Sequence, residues 1–358
     1  MASNAQPLGV LRPRDAVLKM APYSPPTSGR AGKLRLDFNE NTVGCSPRVI
    51  ELLRTRLTED ALAVYPEYED ARRELAESFG VPQDRLLFTN GTDEAIQVVI
   101  NTYIDDGDEV LVLKPAYAMY RFYAEVAGAT IREIEYSKTD LAFPLDDLLA
   151  AISPQTKAIL IANPNNPTGT GVSIAGVDRI LKKARNAAVL IDEAYYEFSG
   201  ITALELMPNA PNLFVSRTFS KVYGLAGLRF GCLFSQPVNI AYLHKAQSPY
   251  SVNSVAVLAA REAARDRAHI ANYVAEVLAA RELLCLGLER LEIPYFPSQA
   301  NFVLMNMGER AVEIRDRLRE MGVLVRDRSY EISGAVRVTV GTREQTRRFL
   351  SSLEQVWR

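Results

Sequence analysis

A lysine with hydroxyl groups before it and an arginine after it is the first feature of this sequence that could do chemistry. In SRTFSKVYGLAGLRFG, Thr218 and Ser220 precede Lys221, and Arg229 follows the lysine by eight residues. Hydroxyl donors and a guanidinium around one point supply the hydrogen bonds and the positive charge that a phosphate dianion needs. The simpler interpretation is a polar loop with an exposed lysine, but apolar strand-like runs on both sides favour an anion site.

Further candidate residues each follow a strand-like run. They are Gly91, Thr92 and Asp93 of FTNGTDEAI, Tyr117 of KPAYAMY, Asn166 of IANPNNPTG, and Asp192 and Tyr195 of VLIDEAYYEF. The first three open an apolar helix, and the N–H groups and positive dipole end of a helix start attract anions. Taken singly, all of them are also typical of caps, turns and aromatic packing. Because they occur together with Lys221, one shared site is the stronger hypothesis.

The elements that must position these residues fall into two groups along the chain. Between residues 85 and 235, short apolar β-rich runs alternate with helical periodicity over 92–104, 117–128 and 173–186. This alternation predicts an α/β fold with a largely parallel sheet that binds ligands at the carboxyl ends of its strands. The β-rich runs are RLLFT, EVLVL, AILIA, AVLID, NLFVS and LRFGCLF.

The pattern changes after Pro249. Helical periodicity covers 252–291 and 309–321, β-rich runs occur at NFVLMN, GVLVR and VRVTV, and a last helix starts at Thr342 with Gln345 at capping-box spacing. Such a mixture predicts a smaller α+β domain. We expect an N-terminal arm over 1–32, a large domain over 47–270, and a small domain built from 33–46 and 271–358.

Composition excludes several classes of function. The net charge is −2 and basic residues are scattered, so nucleic acid is not an expected partner. No apolar run approaches the roughly 20 residues of a membrane span, and the first 20 residues lack a signal-peptide core, so we expect a cytoplasmic protein without membrane contact. Three cysteines without CxxC spacing and two histidines argue against disulfides, Ser/His catalysis and metal sites.

The ordered set GTDE, PAYAMY, NPNNPTG, DEAYYEF, SKVYGLAGLRFG and VRVTVGT resembles the fold-type I aminotransferases that depend on pyridoxal 5'-phosphate (PLP), and within them the histidinol-phosphate aminotransferases. The resemblance runs from Tyr23 in PYSPP through LDFNEN at 36–41 and YPEY at 65–68 to Gly341. Each motif alone is weakly specific, whereas the ordered set is strongly so.

The resemblance implies a role for each candidate around the cofactor. Lys221 would carry PLP as a Schiff base and shuttle a proton, and Asp192 would keep the pyridine nitrogen protonated. Tyr195 and Asn166 would bind the phenolic oxygen, and Tyr117 would stack on the ring. The phosphate would be held by Gly91, Thr92, Asp93, Thr218, Ser220 and Arg229, and by Tyr65 of a neighbouring subunit, so that a homodimer shares its active sites.

The resemblance also implies the substrates, L-histidinol phosphate and the pair 2-oxoglutarate and glutamate. Arg337 would bind the amino acid's carboxylate, because a guanidinium fork matches a carboxylate. Arg326 is favoured over Arg328 as the second cation that a phosphate or second carboxylate requires. Tyr23, Asn41 and Asn166 would also lie near the substrate.

Three alternatives stay open at this stage. Thr42 and Cys45 stand where the family commonly has prolines, and PYSPPTS lacks the usual PG turn, so the pocket for the substrate differs from the family pattern. An aromatic amino-acid aminotransferase or a threonine-phosphate decarboxylase would use the same machinery. A cofactor-free binding protein could retain the fold, although the intact lysine, aspartate and arginines argue against it.

Overall fold

The structure is a computed structural model that describes residues 11–22 and 28–358. In this part of the chain the strands are β1 (Leu34–Arg35), β2 (Leu86–Thr89), β3 (Glu109–Lys114), β4 (Thr130–Glu135), β5 (Thr156–Ala162), β6 (Ala188–Asp192), β7 (Leu213–Thr218), β8 (Gly231–Phe234), β9 (Tyr295–Phe296), β10 (Phe302–Asn306), β11 (Val323–Leu324), β12 (Arg326–Asp327) and β13 (Ala335–Thr339).

The α-helices of the same part are α1 (Asp15–Leu18), α2 (Pro47–Arg56), α3 (Glu59–Ala63), α4 (Glu69–Phe79), α5 (Gly91–Tyr103), α6 (Ala118–Ala127), α7 (Leu145–Ala151), α8 (Ile174–Lys183), α9 (Tyr196–Ser199), α10 (Pro237–Ala246), α11 (Ser254–Arg265), α12 (Arg267–Arg290), α13 (Ala311–Glu320) and α14 (Arg343–Trp357). None of these helices combines the length and the hydrophobicity that crossing a bilayer needs.

The larger sheet has seven strands in the order β2-β8-β7-β6-β5-β3-β4. Strands β3 to β7 run parallel, and β8 is antiparallel to both of its neighbours, β2 and β7. The central strands are apolar runs that are buried along almost their whole length, as expected of a sheet covered on both faces. The prediction of an α/β fold with a largely parallel sheet is therefore confirmed.

The smaller sheet is antiparallel, with the order β12-β13-β10-β9. Helix α14 begins with the predicted capping box, in which Thr342 and Gln345 bond to each other's backbone. Strand β1 pairs in parallel with β11, so the chain just before residue 37 joins the C-terminal part. The predicted domain limits stay a proposal, and the one at 270/271 falls inside α12 near its start.

The long helices expected over 252–291 are α11 and α12, which are separated because Asp266 leaves helical geometry and its side chain caps α12. Two other details of the elements were not predicted. The run GVLVR forms two short strands that pair with different partners, β1 and β13. Strand β4 was not foreseen, because TIREIE alternates polar and apolar residues at the sheet edge instead of forming an apolar run.

Candidate active site

A cavity of about 710 Å³ lies where the carboxyl ends of the parallel strands meet the smaller sheet. Strands β3, β5, β6 and β7 end at this edge, because they run in the same direction. Its lining includes twelve of the residues that the sequence predicted: Thr92, Asp93, Tyr117, Asn166, Asp192, Tyr195, Thr218, Ser220, Lys221, Arg229, Arg326 and Arg337. The structure therefore brings together residues that are up to 245 positions apart in the chain.

The part of the cavity at the ends of the parallel strands is named here the floor. Asp192 ends β6 there and is buried. The Tyr120 hydroxyl donates to its carboxylate at 2.8 Å, and the Ser216 hydroxyl donates to it at 3.0 Å. Burial raises the pKa of Asp192 to about 6, although both hydrogen bonds favour the charged form. A nearby cation would restore the full charge. Tyr120 was not predicted, although it lies three residues after Tyr117 and so on the same helix face.

Lys221 follows β7 and points into the same floor. Its Nζ donates to the Phe38 carbonyl oxygen at 3.1 Å, and it lies 5.9 Å from the ring centroid of Tyr195. Desolvation lowers the pKa of Lys221 to about 8, and Arg337 and Arg229 contribute in the same direction. A lysine that loses its proton this readily is suited to act as a nucleophile and as a base.

The start of helix α5 and the Lys221 segment form an anion site. Asn90 at the N-cap makes no side-chain hydrogen bond to the helix, so the first N–H groups keep their donor capacity. Gly91 has φ +74° and a Cβ there would lie 2.6 Å from Arg229 Nη2, so only glycine leaves this space. Thr218 Oγ1 accepts from the Ser220 N–H at 3.0 Å.

Asp93 is part of this site but carries the wrong charge for binding a phosphate through its side chain. Its carboxylate pairs with Arg229 at 3.0 Å and accepts from the Tyr117 hydroxyl at 2.8 Å. The side chain thus holds Arg229 and Tyr117 in place. Any direct contact of Asp93 with a phosphate would come from its N–H group at the helix start.

Two arginines of the smaller sheet face the cavity side by side. Arg326 in β12 and Arg337 in β13 are direct cross-strand partners. Arg337 is buried and donates to the Asp37 carbonyl oxygen at 2.7 Å and to the Asn166 side-chain oxygen, and its Nε has no hydrogen-bond partner among the described residues. Burial lowers the pKa of Arg337 to about 10, and Arg326 contributes in the same direction.

The side of the cavity formed at the smaller sheet is named here the wall. Two of its arginines, Arg337 and Arg326, have no carboxylate within ion-pair distance in residues 11–22 and 28–358. The guanidinium of Arg326 lies 5.5 Å from the Phe38 ring centroid. Arg328, by contrast, pairs with Glu331. The cavity therefore offers an uncompensated positive charge beside Arg337.

Arg30 also lines this wall, and its charge is neutralised. It pairs with Asp37 at 2.8 Å and with Glu40 at 2.6 Å. Nothing in the sequence singled out Arg30, because it lies in the irregular segment that was predicted to be an arm. Other lining residues that the sequence reasoning missed are Phe38, Asn39, Glu40, Tyr120, Tyr330 and Glu331.

Three predicted residues of the described chain do not line the cavity, and a fourth cannot be placed. Gly91 lies just behind Arg229. Asn41 is turned away, because its amide donates to the Val222 carbonyl oxygen at 2.9 Å and accepts from two backbone N–H groups. Tyr65 is 74% exposed and stacks on Tyr250 at 4.3 Å. Tyr23 lies outside the described residues.

The lysine, the buried carboxylate and the anion site define a class of protein. They fit PLP by the chemistry of their groups: a covalent anchor in Lys221, an anionic partner for a ring nitrogen in Asp192, and donors with the cleared space at Gly91 for a phosphate. An α/β fold with this set on the carboxyl edge of its sheet is typical of PLP-dependent transferases.

Comparisons with known proteins identify the family. The family Aminotransferase class I and II matches residues 31–353, and the chain belongs to it. A histidinol-phosphate aminotransferase of Symbiobacterium thermophilum is 36% identical over 95% of this chain and 97% of its own length. One of Moorella thermoacetica is 34% identical over 96% of this chain and 92% of its own length.

The fold comparison agrees with this membership. The crystal structure of histidinol-phosphate aminotransferase from Sinorhizobium meliloti in complex with pyridoxal-5'-phosphate superposes with a TM-score of 0.88 and 23% identity, over 98% of this chain and 99% of that one. The predictions of a fold-type I aminotransferase and of PLP as cofactor are thus confirmed. The roles of the individual residues stay proposals.

Proposed function

We propose that this protein transfers the amino group of L-histidinol phosphate to 2-oxoglutarate, with PLP on Lys221 as the carrier, in the biosynthesis of histidine. The support comes from two sides. Relatives that align over nearly the whole chain carry that name. The cavity has a floor whose residues fit PLP, and opposite it a wall with two arginines that have no carboxylate partner in the described chain.

The protein's own residues would divide the work as follows. PLP supplies an electron sink for the bond that breaks at the substrate's α-carbon. Lys221 would hold the cofactor and, once released by the substrate amine, carry a proton between the two reacting carbons, for which its lowered pKa suits it. Asp192 would hold a proton on the ring nitrogen, and Tyr195 and Asn166 would orient the ring through its phenolic oxygen.

The remaining residues of the floor would bind the phosphate of the cofactor. Arg229 supplies positive charge, Gly91 leaves room for it, and Thr218 and Ser220 add hydroxyl groups. Tyr117 would cover one face of the ring, held in place by its hydrogen bond to Asp93.

The cross-strand pair of Arg326 and Arg337 is the observation that carries the choice of substrate. Like charges directly opposite in a sheet are destabilising, and a guanidinium keeps its proton at neutral pH. An anion between the two removes the repulsion. L-Histidinol phosphate brings a phosphate dianion and no α-carboxylate, whereas glutamate brings two carboxylates, so both substrates of the proposed reaction match a double cation.

The test is an assay of purified, PLP-loaded protein with 2-oxoglutarate as acceptor and four donors in turn: L-histidinol phosphate, phenylalanine, tyrosine and threonine phosphate. Fastest glutamate formation with L-histidinol phosphate supports the proposal. Phenylalanine or tyrosine as the best donor would replace it with an aromatic aminotransferase. Release of carbon dioxide from threonine phosphate without glutamate formation would indicate the decarboxylase.

We also propose a homodimer with shared active sites, located in the cytoplasm. Leu62, Val64, Tyr65 and Tyr250 are large apolar side chains that are all more than half exposed, and Tyr65 stacks on Tyr250, as expected of a contact surface. Such a surface would let Tyr65 reach the cofactor phosphate of a second copy.

Hybrid dimers test the sharing. Lys221→Ala and Tyr65→Ala chains, each inactive or weak alone, should regain up to half of the wild-type activity per hybrid dimer, because one of the two sites is then intact. A monomer in light scattering, or no recovery on mixing, would contradict the shared site.

A further inference from the structure

The segment 37–41, named here the crossing segment, follows β1 along the cavity, and each of its residues 37–40 bonds to a residue that lines the cavity. The Asp37 carbonyl accepts from Arg337, and the Phe38 carbonyl accepts from Lys221. Asn39 binds Tyr195 and Thr339. Glu40 pairs with Arg30, and Asn41 binds the Val222 carbonyl. Of these contacts, the one at Tyr195 has a direction that affects chemistry.

Asn39 is buried between Tyr195 and Thr339. Its Nδ2 donates to the Tyr195 hydroxyl oxygen at 3.0 Å. Its backbone N–H donates to Thr339 Oγ1 at 3.0 Å, and Thr339 Oγ1 donates to Asn39 Oδ1 at 3.1 Å. All of these groups are at most 4% exposed, so water cannot replace a lost partner.

The bonds to Thr339 fix which end of the amide faces Tyr195. If the amide were flipped, the Thr339 oxygen would accept two N–H groups and its own proton would have no acceptor among them. A buried hydroxyl with an unused proton is costly. The satisfied arrangement therefore presents Nδ2, a donor, to Tyr195, whose own proton must then point elsewhere. Tyr195 lines the cavity, so the cavity is a direction in which that proton can point.

We propose that Asn39 is a positioning residue that sets the direction of the hydrogen bond at Tyr195, so that Tyr195 acts as a donor to the phenolic oxygen of the cofactor. This inference rests on the proposed function. Burial raises the pKa of Tyr195, so the phenol keeps the proton that it is to donate. Arg337, Asp192, Arg328 and Lys221 are the charged groups around it.

The conformation of Asn39 dictates which substitution tests this. Asn39 has φ 55°, in the left-handed region that asparagine and aspartate tolerate better than other side chains. Asn39→Asp therefore keeps shape and backbone while replacing the donor by an acceptor. The Tyr195 hydroxyl would turn toward the new carboxylate and leave the cofactor oxygen without a donor.

The experiment is a pH titration of the visible absorbance of the cofactor-loaded protein. Loss of the donor destabilises the deprotonated form of the bound chromophore, so Asn39→Asp should raise the titration midpoint by about one unit, a roughly tenfold change in proton affinity. Thr339→Val, which keeps Asn39 but frees its amide, should shift the midpoint in the same direction by less. It also keeps the proposal testable if Asn39→Asp does not fold.

A Tyr195→Phe background separates the hydrogen bond from the added charge. If Asn39 acts through Tyr195, the shift caused by Asn39→Asp should shrink to less than half in that background. An equal shift in both backgrounds, or no shift in either variant, would overturn the proposal. The titration needs no substrate, so protein that titrates but ignores L-histidinol phosphate would contradict the proposed function and leave this inference intact.

Discussion

The two ends of the cavity differ in how they accommodate charge. On the sheet side, Asp192 and Lys221 respond to burial by moving toward their neutral forms, with pKa values of about 6 and about 8. On the side of the smaller sheet, Arg326 and Arg337 lie opposite each other, and neither can release its proton at neutral pH. The buried groups of the floor can therefore become neutral without a ligand, whereas Arg326 and Arg337 stay charged and would gain a directly paired anion only when a ligand binds.

This difference separates two kinds of requirement. In the proposed function the floor would supply chemistry that any substrate of the family needs, and each of its charged groups has protein partners. The wall would supply selectivity, because Arg326 and Arg337 have no carboxylate partner in the described chain and favour a ligand of matching negative charge. Substitutions in the floor should therefore affect all substrates alike, and a substitution of Arg326 should not.

The largest effect is expected at the floor, from Lys221→Ala. Activity toward every donor should fall by several orders of magnitude, because anchor and proton carrier are both lost. Borohydride reduction of the wild-type protein, followed by peptide mass mapping, should find the pyridoxyl group on Lys221. Lys245→Ala, which removes an exposed lysine, is the control. An adduct on another lysine would contradict the assignment of Lys221 as the cofactor anchor of the floor.

Asp192→Asn should have the next largest effect. An amide cannot stabilise a protonated ring nitrogen, so the rate of the half-reaction should fall at least tenfold, and by several orders of magnitude if this charge dominates. Single-turnover kinetics with bound PLP measure it, and Asp146→Asn on the exposed start of α7 is the matched control. More than a tenth of the activity retained is a cost below about 1.4 kcal/mol and would contradict the role.

The arginine pair offers the sharpest comparison. Arg337→Ala should raise KM and lower kcat for all donors that carry an anion. Arg326→Ala should cost L-histidinol phosphate and glutamate roughly ten- to a hundredfold, about 1.5 to 3 kcal/mol, while sparing phenylalanine. Steady-state kinetics on the three substrates, with exposed Arg347→Ala as control, decide this. An equal loss on all three would assign Arg326 a structural role.

The smallest effect concerns the stability of the cofactor-free protein. The pKa of Asp192 rises from 3.8 to about 6 on folding, so the folded state binds more protons in this window and is destabilised as the pH rises through it. Asn is neutral at every pH. Asp192→Asn should therefore raise the melting temperature of the apoprotein at pH 7.5, and by less at pH 5. The same gain at both values would mean that the carboxylate is not strained.

The sequence predicted the floor better than the wall for a physical reason. Floor residues directly follow apolar strands, and parallel strands place their carboxyl ends at one edge, so the order of motifs sufficed to bring them together. The wall depends on which residues of two short strands lie opposite each other, and GVLVR looked like a single strand. The pairing of Arg326 with Arg337 was thus not visible, although both residues were proposed.

The LDFNEN segment shows most clearly what the sequence did not predict about the site. Asn41 was predicted to contact the substrate, but Asn39 lines the cavity and Asn41 binds backbone. Asn39 has a left-handed backbone with φ 55°, which is not strand geometry, so simple alternation of side chains does not tell which of them faces inward. Arg30 was missed for a related reason, since an irregular segment has no periodicity from which a contact can be inferred.

The crossing segment also bears on the timing of assembly during synthesis. Its partners are remote in the chain, with Lys221 183 positions after Phe38 and Arg337 300 positions after Asp37. At about 5 to 20 residues per second, a ribosome needs roughly 15 to 60 seconds for 300 residues. The crossing segment cannot form its contacts with β13 before that strand has been synthesised, so the cavity is among the last parts of the molecule to form. We therefore expect PLP to be captured by a finished chain, not by a nascent one.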